Sequence, residues 1–304
     1  MRVVVTGGQD GQVARSLVER GLAAGYEIAP VGRPLLDLAG EESTIMAAIE
    51  AARPDAIVSA AAYTAVDKAE RDRDLAFRVN AHGAGAIAKS ARRLGVPLVH
   101  LSTDYVFDGT KLDPYVENDP TGPASVYGAS KLAGEEAVLE SGADAVILRT
   151  AWVYSPFGSN FVKTMLRLAD EREVISVVAD QRGNPTSALD IADGVLAVIA
   201  NLAAAADARM RGTFHMTAAG EASWAEFAEA VFSASAAAGG PVAEVRPIKT
   251  VEYPTPAKRP SNSRLDSSRL ELAHGVRLAE WNGALIDVVG RLVGQPAGER
   301  QMQQ

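Results

Sequence analysis

Short apolar runs alternate with helical periods through the first 150 residues, and this alternation most constrains what the chain can fold into. The apolar runs are typical of buried strands and lie at Val3–Thr6, Tyr26–Val31, Asp55–Ser59, Pro97–Leu101 and Ala145–Arg149. The helical periods between them lie at Val13–Ala24, Glu42–Arg53, Leu75–Leu94 and Val126–Ser141. Strands that are apolar throughout and separated by helices predict an α/β fold, with a doubly wound parallel sheet covered on both faces.

A glycine-rich turn joins the first predicted strand to the first predicted helix. From Gly8 it has the spacing G-x-x-G-x-x-A, which ends at Ala14. Glycine lets the backbone approach a pyrophosphate closely, and the N-terminus of a helix favours an anion. Ala14 is small enough for the helix to pack closely on the sheet. The turn therefore predicts a dinucleotide-binding, Rossmann-like domain.

The choice of cofactor depends on a pair of charged residues, Arg33 and Asp37, that follow the second predicted strand. Arg33 would suit the 2′-phosphate of NADPH, whereas Asp37 would suit the ribose hydroxyls of NADH. Asp37 lies a few residues later than such an acid usually does. Because the two residues point to different cofactors, the expected cofactor is NADPH or NADH.

The chain beyond Thr150 has weaker periods. Helices are predicted at Asn160–Glu173, Ala188–Ala206 and Ser223–Ala236, and strands at Val174–Val178 and Thr213–Met216. Ser223 with Glu226 three residues later is typical of a capping box. The Pro-rich stretch Pro241–Pro260 has no clear period, and the end from Gly298 to Gln304 is expected to fray. We therefore expect an NAD(P)-binding Rossmann domain over residues 1–150, to which segments at about 174–216 return, and a mainly substrate-binding domain over 151–304.

Tyr127 and Lys131 lie four residues apart on a predicted helix and so share one of its faces. A free tyrosine has a pKa near 10 and is a poor acid–base catalyst at neutral pH. A neighbouring lysine is expected to lower that pKa, which suits a proton donor to a carbonyl. Lys131 is also in a position to hydrogen-bond a nicotinamide ribose. This pair is the predicted catalytic centre of an oxidoreductase.

Thr103 and Asp104 follow the fourth predicted strand. Side chains just beyond the carboxyl end of a central strand line the ligand crevice of such sheets. Thr103 is a candidate to donate a hydrogen bond to a substrate oxygen. Asp104 is an acid at the same place, with a turn-forming or capping role as its alternative.

Composition excludes several functional classes. The absence of cysteine excludes thiolate metal sites and cysteine catalysis. The net charge of −8, from 30 Lys plus Arg against 38 Asp plus Glu, argues against a nucleic-acid-binding protein dominated by phosphate contacts. The first apolar run is too short for a secretory signal, and the Ala-rich stretch Val195–Ala206 is too short to span a bilayer. We expect a cytoplasmic enzyme with a small-molecule substrate.

Seven stretches in order resemble the extended short-chain dehydrogenase/reductases, and in particular their nucleotide-sugar reductases. These stretches are Ala60–Glu70, Ser102–Gly109, Tyr127–Glu136, Arg149–Tyr154, Asn160–Leu168, Asp180–Thr186 and Tyr253–Leu265. The resemblance implies NADPH or NADH as hydride donor. It also implies a nucleotide sugar, dTDP-4-dehydro-β-L-rhamnose, as the acceptor.

The same resemblance implies roles for individual residues. Tyr127 would be the general acid, with Lys131 as its partner, Thr103 orienting the 4-keto group and Asp104 an auxiliary polar group. The residues expected to hold the cofactor pyrophosphate or lie along it are Gly8, Gln9, Asp10, Gly11, Gln12, Val13, Ala60, Ala61, Ala62, Thr64 and Asn80. The residues expected to contact the sugar are Val66, Tyr105 and Trp152, and those expected to touch the nucleotide are Arg259 and Asn262.

Related chemistries remain as alternatives. A nucleotide-sugar 4,6-dehydratase has the same fold and Tyr–Lys pair, but its strand-four motif supplies adjacent Asp and Glu, whereas here Tyr105 follows Asp104. The segment Ser102–Phe107 also differs from what is expected of a 4-epimerase. Another nucleotide-sugar 4-ketoreductase stays open, as does a non-catalytic regulatory subunit of the type found in a methionine adenosyltransferase complex.

One departure from the family bears on assembly. Some members dimerise through Mg²⁺ held by glutamates, one of them on the first helix. Here the corresponding stretch reads Arg15–Ser16–Leu17, with no acid at that place. We therefore expect no metal site, and a monomer or a weak homodimer.

Overall fold

The computed structural model describes residues 1–9 and 11–294. The predicted cofactor residue Asp10 and the end from Gly298 to Gln304 lie outside the described residues. The strands, in chain order, are β1 (Arg2–Thr6), β2 (Glu27–Val31), β3 (Ala56–Ser59), β4 (Leu98–Thr103), β5 (Ala145–Thr150), β6 (Val153–Tyr154), β7 (Val174–Val178), β8 (Arg182–Gly183), β9 (Thr186–Ser187), β10 (Gly212–His215), β11 (Ala222–Ser223) and β12 (Glu244–Ile248). The α-helices are α1 (Gln12–Ala23), α2 (Glu42–Ala51), α3 (Val66–Ala69), α4 (Arg73–Phe77), α5 (Gly83–Leu94), α6 (Val126–Glu140), α7 (Phe161–Ala169), α8 (Ala188–Ala204), α9 (Trp224–Ala237), α10 (Ser268–His274) and α11 (Trp281–Val293).

Six strands form a parallel sheet in the order β10–β5–β4–β3–β1–β2. The chain passes from β1 to β2 on one side and then returns to β3 on the other, so the winding direction reverses between β1 and β3. Ligands of such sheets bind outside the carboxyl ends of the strands at this reversal. The predicted doubly wound parallel sheet is confirmed, and its topology fixes where the site must lie.

The valines of β1 show why the sheet is covered on both faces. Val3 and Val5 belong to the hydrophobic core on one face, and Val4 belongs to the core on the other. The first core includes apolar side chains of α1, α8, α9 and α11, and the second includes those of α2 and α5. Strand residues that alternate between two apolar layers explain the continuous apolar runs in the sequence.

The predicted helix Leu75–Leu94 is one continuous helical run with an irregularity inside it. Residues Arg78–His82 form a π-helical turn between α4 and α5. The apolar period of the sequence does not distinguish this turn from α-helix. π-Turns of this kind are frequent at functional sites.

The C-terminal half contributes to the sheet only in part. Helix α8 packs against α1, and β10 pairs with β5 as the last strand. Strand β7, which lies in the stretch expected to return to the sheet, instead pairs with β12 in a separate two-stranded sheet. Strand β12 lies in the Pro-rich stretch, where the sequence predicts no strand. Its side chains are mostly exposed, so it lacks the apolar face that would give a period.

The start of helix α9 has the cap that the sequence predicts. Ser223 is the N-cap of α9; its Oγ accepts from the Glu226 N–H at 3.1 Å, and the Glu226 carboxylate accepts from the Ser223 N–H at 2.6 Å. The predicted capping box is therefore present. None of the helices within residues 1–9 and 11–294 combines the length and the apolar character needed to cross a membrane.

Candidate active site

The glycine turn after β1 forms a close backbone cradle at the carboxyl edge of the sheet. Gly7 and Gly8 have φ values of +125° and +63°, and their N–H groups donate to the Val31 carbonyl at 3.1 and 3.2 Å. A Cβ atom on Gly32 would lie 2.7 Å from the Gly8 backbone, so a larger residue does not fit. The turn therefore joins the ends of β1 and β2 where a dinucleotide would cross them.

The N-terminus of α1 opens onto this turn, and among residues 1–9 and 11–294 no side chain caps it. Gly11 is its N-cap, and no acidic residue lies in its first turn. Such free N–H groups, with the helix dipole, fit a pyrophosphate. Gln12 Oε1 accepts hydrogen bonds from Ser155 Oγ at 2.8 Å and Asn160 Nδ2 at 3.1 Å, which fixes the helix start to the segment after β6. Of the residues predicted to hold the pyrophosphate, the structure places five along this turn and the start of α1: Gly8, Gln9, Gly11, Gln12 and Val13.

The loop after β3 is held beside the same cradle. Thr6 Oγ1 accepts from the N–H groups of Ala60 and Ala61 at 3.1 and 3.0 Å. The buried Asn80 side chain then exchanges hydrogen bonds with the Tyr63 backbone, at 2.7 Å to its N–H and 3.1 Å to its carbonyl. Asn80 acts as a clamp on the loop, and the same loop carries the predicted cofactor residues Ala60, Ala61, Ala62 and Thr64.

Helix α6 carries the Tyr–Lys pair, and its small residues seat it against its neighbours. A Cβ on Gly128 would collide with the Tyr105 carbonyl oxygen, and a Cβ on Gly134 would collide with the Asn80 carbonyl oxygen. Ser130 Oγ accepts from Asn80 Nδ2 at 2.9 Å. The glycines and the serine of the Y-G-A-S-K-L-A-G motif therefore set how closely the helix approaches the strand-four turn and the π-turn.

Lys131 is buried beneath the cleft. Its Nζ donates to the Leu101 carbonyl at 2.7 Å and lies 3.4 Å from His100 Nε2. Burial lowers the pKa of Lys131 to about 8, and the nearby Glu135 carboxylate acts in the opposite direction. Glu135 itself forms a buried ion pair with Arg149, with Nη2 to Oε2 at 2.6 Å.

Tyr127 projects from α6 as a protonated phenol. Burial raises its pKa to about 12, and Asp104 adds to this, whereas a hydrogen bond with Thr103 acts against it. The sequence-based expectation of a lowered pKa for Tyr127 is not met, because burial outweighs the hydrogen bond with Thr103. At neutral pH the phenol therefore holds a proton that it is able to donate.

Thr103, the last residue of β4, and Asp104 directly after it lie beside the phenol. Thr103 Oγ1 accepts from the Tyr105 N–H at 3.2 Å and donates to Asp104 Oδ1 at 2.9 Å. The other oxygen, Asp104 Oδ2, is buried without a hydrogen bond from any described residue. Burial raises the pKa of Asp104 to about 6, offset in part by the Ser263 and Thr103 hydroxyls. The Tyr105 ring lies edge-on to Tyr127, with centroids 5.5 Å apart.

The two residues expected to read the adenosine end lie apart from this buried group. Arg33 and Asp37 are both exposed, in the loop after β2. Asp37 Oδ1 accepts from the Ala39 N–H at 3.0 Å and so stabilises its own turn. Arg33 is not in an ion pair within the described residues. The structure thus keeps both candidates at the surface.

Trp152 has an unusual backbone conformation for a bulky residue. Its φ is +48°, and its ring stacks on Trp224 with centroids 3.6 Å apart and planes 9° apart. A Cβ on Gly183 would collide with the Trp152 ring. Strain of this kind persists where the surroundings impose it, and it clusters at ligand sites. The predicted sugar contact of Trp152 stays a prediction.

The tail residues differ in their freedom to bind a nucleotide. Arg259 pairs with both carboxylate oxygens of Asp67, at 3.2 and 2.9 Å, next to the predicted sugar-contacting Val66. Asn262 donates to the carbonyls of Lys111 and Asp113 and accepts from Arg264. The side-chain donors of Asn262 are thus used inside the protein, and its nucleotide contact stays a prediction.

Sequence reasoning missed the buried polar partners of the site. His100, Glu135 and Arg149 lie in a strand, a helix and a strand that were assigned by apolar periods. His100 and Arg149 are polar residues inside otherwise apolar strands, and this pattern is the sequence signal that could have identified them. Their partners lie on other elements, so the spacing of residues along one segment does not predict them.

Comparisons with known proteins identify the family of the chain. The family model described as the RmlD substrate binding domain matches residues 1–293. A dTDP-4-dehydrorhamnose reductase of Sinorhizobium fredii is 52% identical over 281 residues, covering 92% of this chain and 94% of that protein. One from Burkholderia thailandensis is 46% identical, covering 97% and 100%. The crystal structure of such a reductase from Bacillus anthracis, in complex with NADP, has a TM-score of 0.86 and 39% identity, covering 94% and 98%.

Proposed function

The chain belongs to the RmlD substrate-binding domain family, and from this premise we infer that it is a dTDP-4-dehydrorhamnose reductase. It reduces the 4-keto group of dTDP-4-dehydro-β-L-rhamnose to the alcohol of dTDP-β-L-rhamnose, the last step of dTDP-rhamnose synthesis. When bound, the reduced nicotinamide cofactor, NADPH or NADH, supplies the hydride. The protein must then hold that cofactor, orient the ketone and provide one proton.

The position of the Tyr127 phenol, beside Thr103 and Tyr105 at the carboxyl edge of the sheet, is the observation that carries the proposed mechanism. A ketone that accepts a hydride becomes an alkoxide, and a neighbouring acid lowers the barrier by donating a proton to its oxygen. The pKa of Tyr127, raised to about 12, keeps the donor protonated at neutral pH. Thr103, directly beside it, would orient the 4-keto oxygen.

The cofactor would lie along the glycine turn. The turn residues Gly8 and Gly11, the N-terminus of α1 and the loop after β3 would hold the pyrophosphate, as the close backbone approach and the uncapped helix support. Lys131 would bond the nicotinamide ribose. Val66, Tyr105 and Trp152 would contact the sugar, and Arg259, beside Val66, would approach the nucleotide.

The same groups explain why elimination is not proposed. A dehydratase needs a base that removes the C5 proton and an acid for the departing water. Here the residue after Asp104 is Tyr105, and burial raises its pKa, so its phenolate is not accessible at neutral pH. One carboxyl group and one protonated phenol are sufficient for reduction but not for that pair of steps.

A coupled assay tests the function. dTDP-4-dehydro-β-L-rhamnose made from dTDP-glucose by the dehydratase and the 3,5-epimerase should be reduced with stoichiometric oxidation of NADPH or NADH. Running both cofactors and the matching UDP sugar in parallel resolves cofactor and base preference. A pure, folded protein without turnover on any of these, but with a bound partner chain, would contradict the proposal. A cytoplasmic location and a monomeric or weakly dimeric state stay predictions.

A further inference from the structure

Lys131 has a second polar contact besides the Leu101 carbonyl, namely the buried side chain of His100. His100 lies on β4, only 1% exposed, with Nε2 3.4 Å from Lys131 Nζ and Nδ1 3.0 Å from Ser59 Oγ on β3. Three elements, β3, β4 and α6, thus meet in a chain of three polar side chains. Burying a polar group costs free energy unless it is hydrogen-bonded, and these three side chains bond one another.

The chemistry of the neighbours fixes the protonation state of His100. An ammonium group has three donors and no acceptor, so Nε2 must be the nitrogen without a proton. Nδ1 then carries the proton and donates it to Ser59 Oγ. Burial, reinforced by the Lys131 charge, keeps the pKa of His100 well below its usual range, so the ring stays neutral.

Counting donors shows what this arrangement does for Lys131. One N–H is directed to the Leu101 carbonyl and a second to His100 Nε2. In a tetrahedral ammonium, fixing two N–H bonds also fixes the direction of the third. That third N–H has no acceptor among residues 1–9 and 11–294, which leaves it for a ligand.

We propose that His100 is a positioning residue for the reduction: held in one tautomer by Ser59, it accepts from Lys131 and thereby orients the remaining Lys131 N–H toward the bound cofactor and Tyr127. The proposal rests on the proposed function. His100 does not touch substrate and moves no proton; it acts through Lys131. A displacement of about 1 Å in a catalytic group costs up to 10²-fold in rate, so loss of this support should be measurable.

Three variants separate positioning from packing. His100→Leu removes the acceptor at similar volume, and kcat should fall at least tenfold while KM for the sugar changes less than threefold. In His100→Gln a side-chain amide oxygen replaces Nε2 as acceptor, and kcat should recover to within about threefold of wild type. His274→Leu, at a buried histidine that bonds Met210 in the C-terminal half, serves as the matched control. It should lower the unfolding temperature and leave kcat within twofold.

A spectroscopic readout does not depend on turnover. Histidine ¹⁵N chemical shifts, assigned with His100→Gln, should show His100 neutral and protonated at Nδ1 from pH 5.5 to 8. In Lys131→Met, which removes the donor that faces Nε2, the Nε2–H tautomer should become populated. If His100 titrates near pH 6.5 or is protonated at Nε2 in the wild type, the proposal is wrong.

The kinetic arms distinguish this proposal from the function itself. A wild-type protein without reductase activity refutes the function, whereas the ¹⁵N measurement still tests the tautomer. An active wild type with His100→Leu at full kcat, or with Leu and Gln variants equally impaired, overturns the positioning role of His100.

Discussion

The two ends of the proposed cofactor cleft are built differently. At the catalytic end, Lys131, His100 and Glu135 are buried and bonded to side chains or backbone of other elements. At the adenosine end, Arg33 and Asp37 are exposed, and Asp37 bonds only its own turn. In the proposed function the chemistry depends on groups fixed by the core, whereas the predicted cofactor choice depends on surface side chains. Substitutions at the first end should therefore affect folding and rate, and those at the second only binding.

The largest expected effect is on stability, at the buried ion pair of the catalytic end. Glu135→Ala leaves Arg149 buried without its partner, which typically costs about 3–5 kcal/mol of unfolding free energy. The half-exposed pair of Arg211 with Asp144 gives a matched control, and Asp144→Ala should cost under about 1 kcal/mol. Denaturant unfolding of both variants measures the difference. Equal losses would break the distinction between core and surface.

The next effect is on rate. Tyr127→Phe removes the proposed proton donor and keeps the ring, so kcat should fall at least a hundredfold, as NADPH oxidation at 340 nm would show. Because the phenol hydroxyl is not required for folding, the unfolding temperature and NADPH binding should stay close to wild type. Full activity in this variant would remove Tyr127 from the mechanism.

Acidification should destabilise the fold in part through two buried histidines, His215 and His100. Burial lowers the pKa of His215, which faces Arg149, to about 3, and it lowers that of His100 as well. The unfolded state binds these protons below its own pKa of about 6.5, so stability is lost as the pH falls below 6.5. By pH 5 the contribution of His215 is about 2 kcal/mol. His215→Gln should lose less stability between pH 7 and pH 5 than wild type; an identical slope would contradict this assignment.

The smallest expected effect is at the adenosine end. Arg33→Ala should lower the preference for NADPH over NADH, measured as the ratio of kcat/KM values, by about tenfold, which corresponds to about 1.4 kcal/mol. Asp37→Ala should change it in the opposite direction. Unfolding free energies should stay within about 0.5 kcal/mol of wild type, as for surface positions. Equal changes with both cofactors would show that Arg33 does not read the 2′-phosphate.

The same contrast explains what could be predicted from the sequence. The strands of the sheet and the Tyr127–Lys131 pair follow from local spacing, since apolar period and i, i+4 geometry are properties of one segment. His100 and Glu135 gain their meaning from partners on other elements, which no local pattern encodes. The sequence does not predict β12, because its side chains are mostly exposed and show no apolar period. The bonds of Asn262 to the Lys111 and Asp113 carbonyls likewise arise only in the fold.

The most direct test of the account follows the hydride. The enzyme is given dTDP-4-dehydro-β-L-rhamnose and NADPH deuterated at the transferable nicotinamide position, and the product is examined by NMR. Direct reduction of the ketone predicts one deuterium per sugar, at C4, with the reaction slowed at least a hundredfold in Tyr127→Phe. Product without deuterium at C4, or deuterium at another carbon, would contradict direct reduction of the 4-keto group.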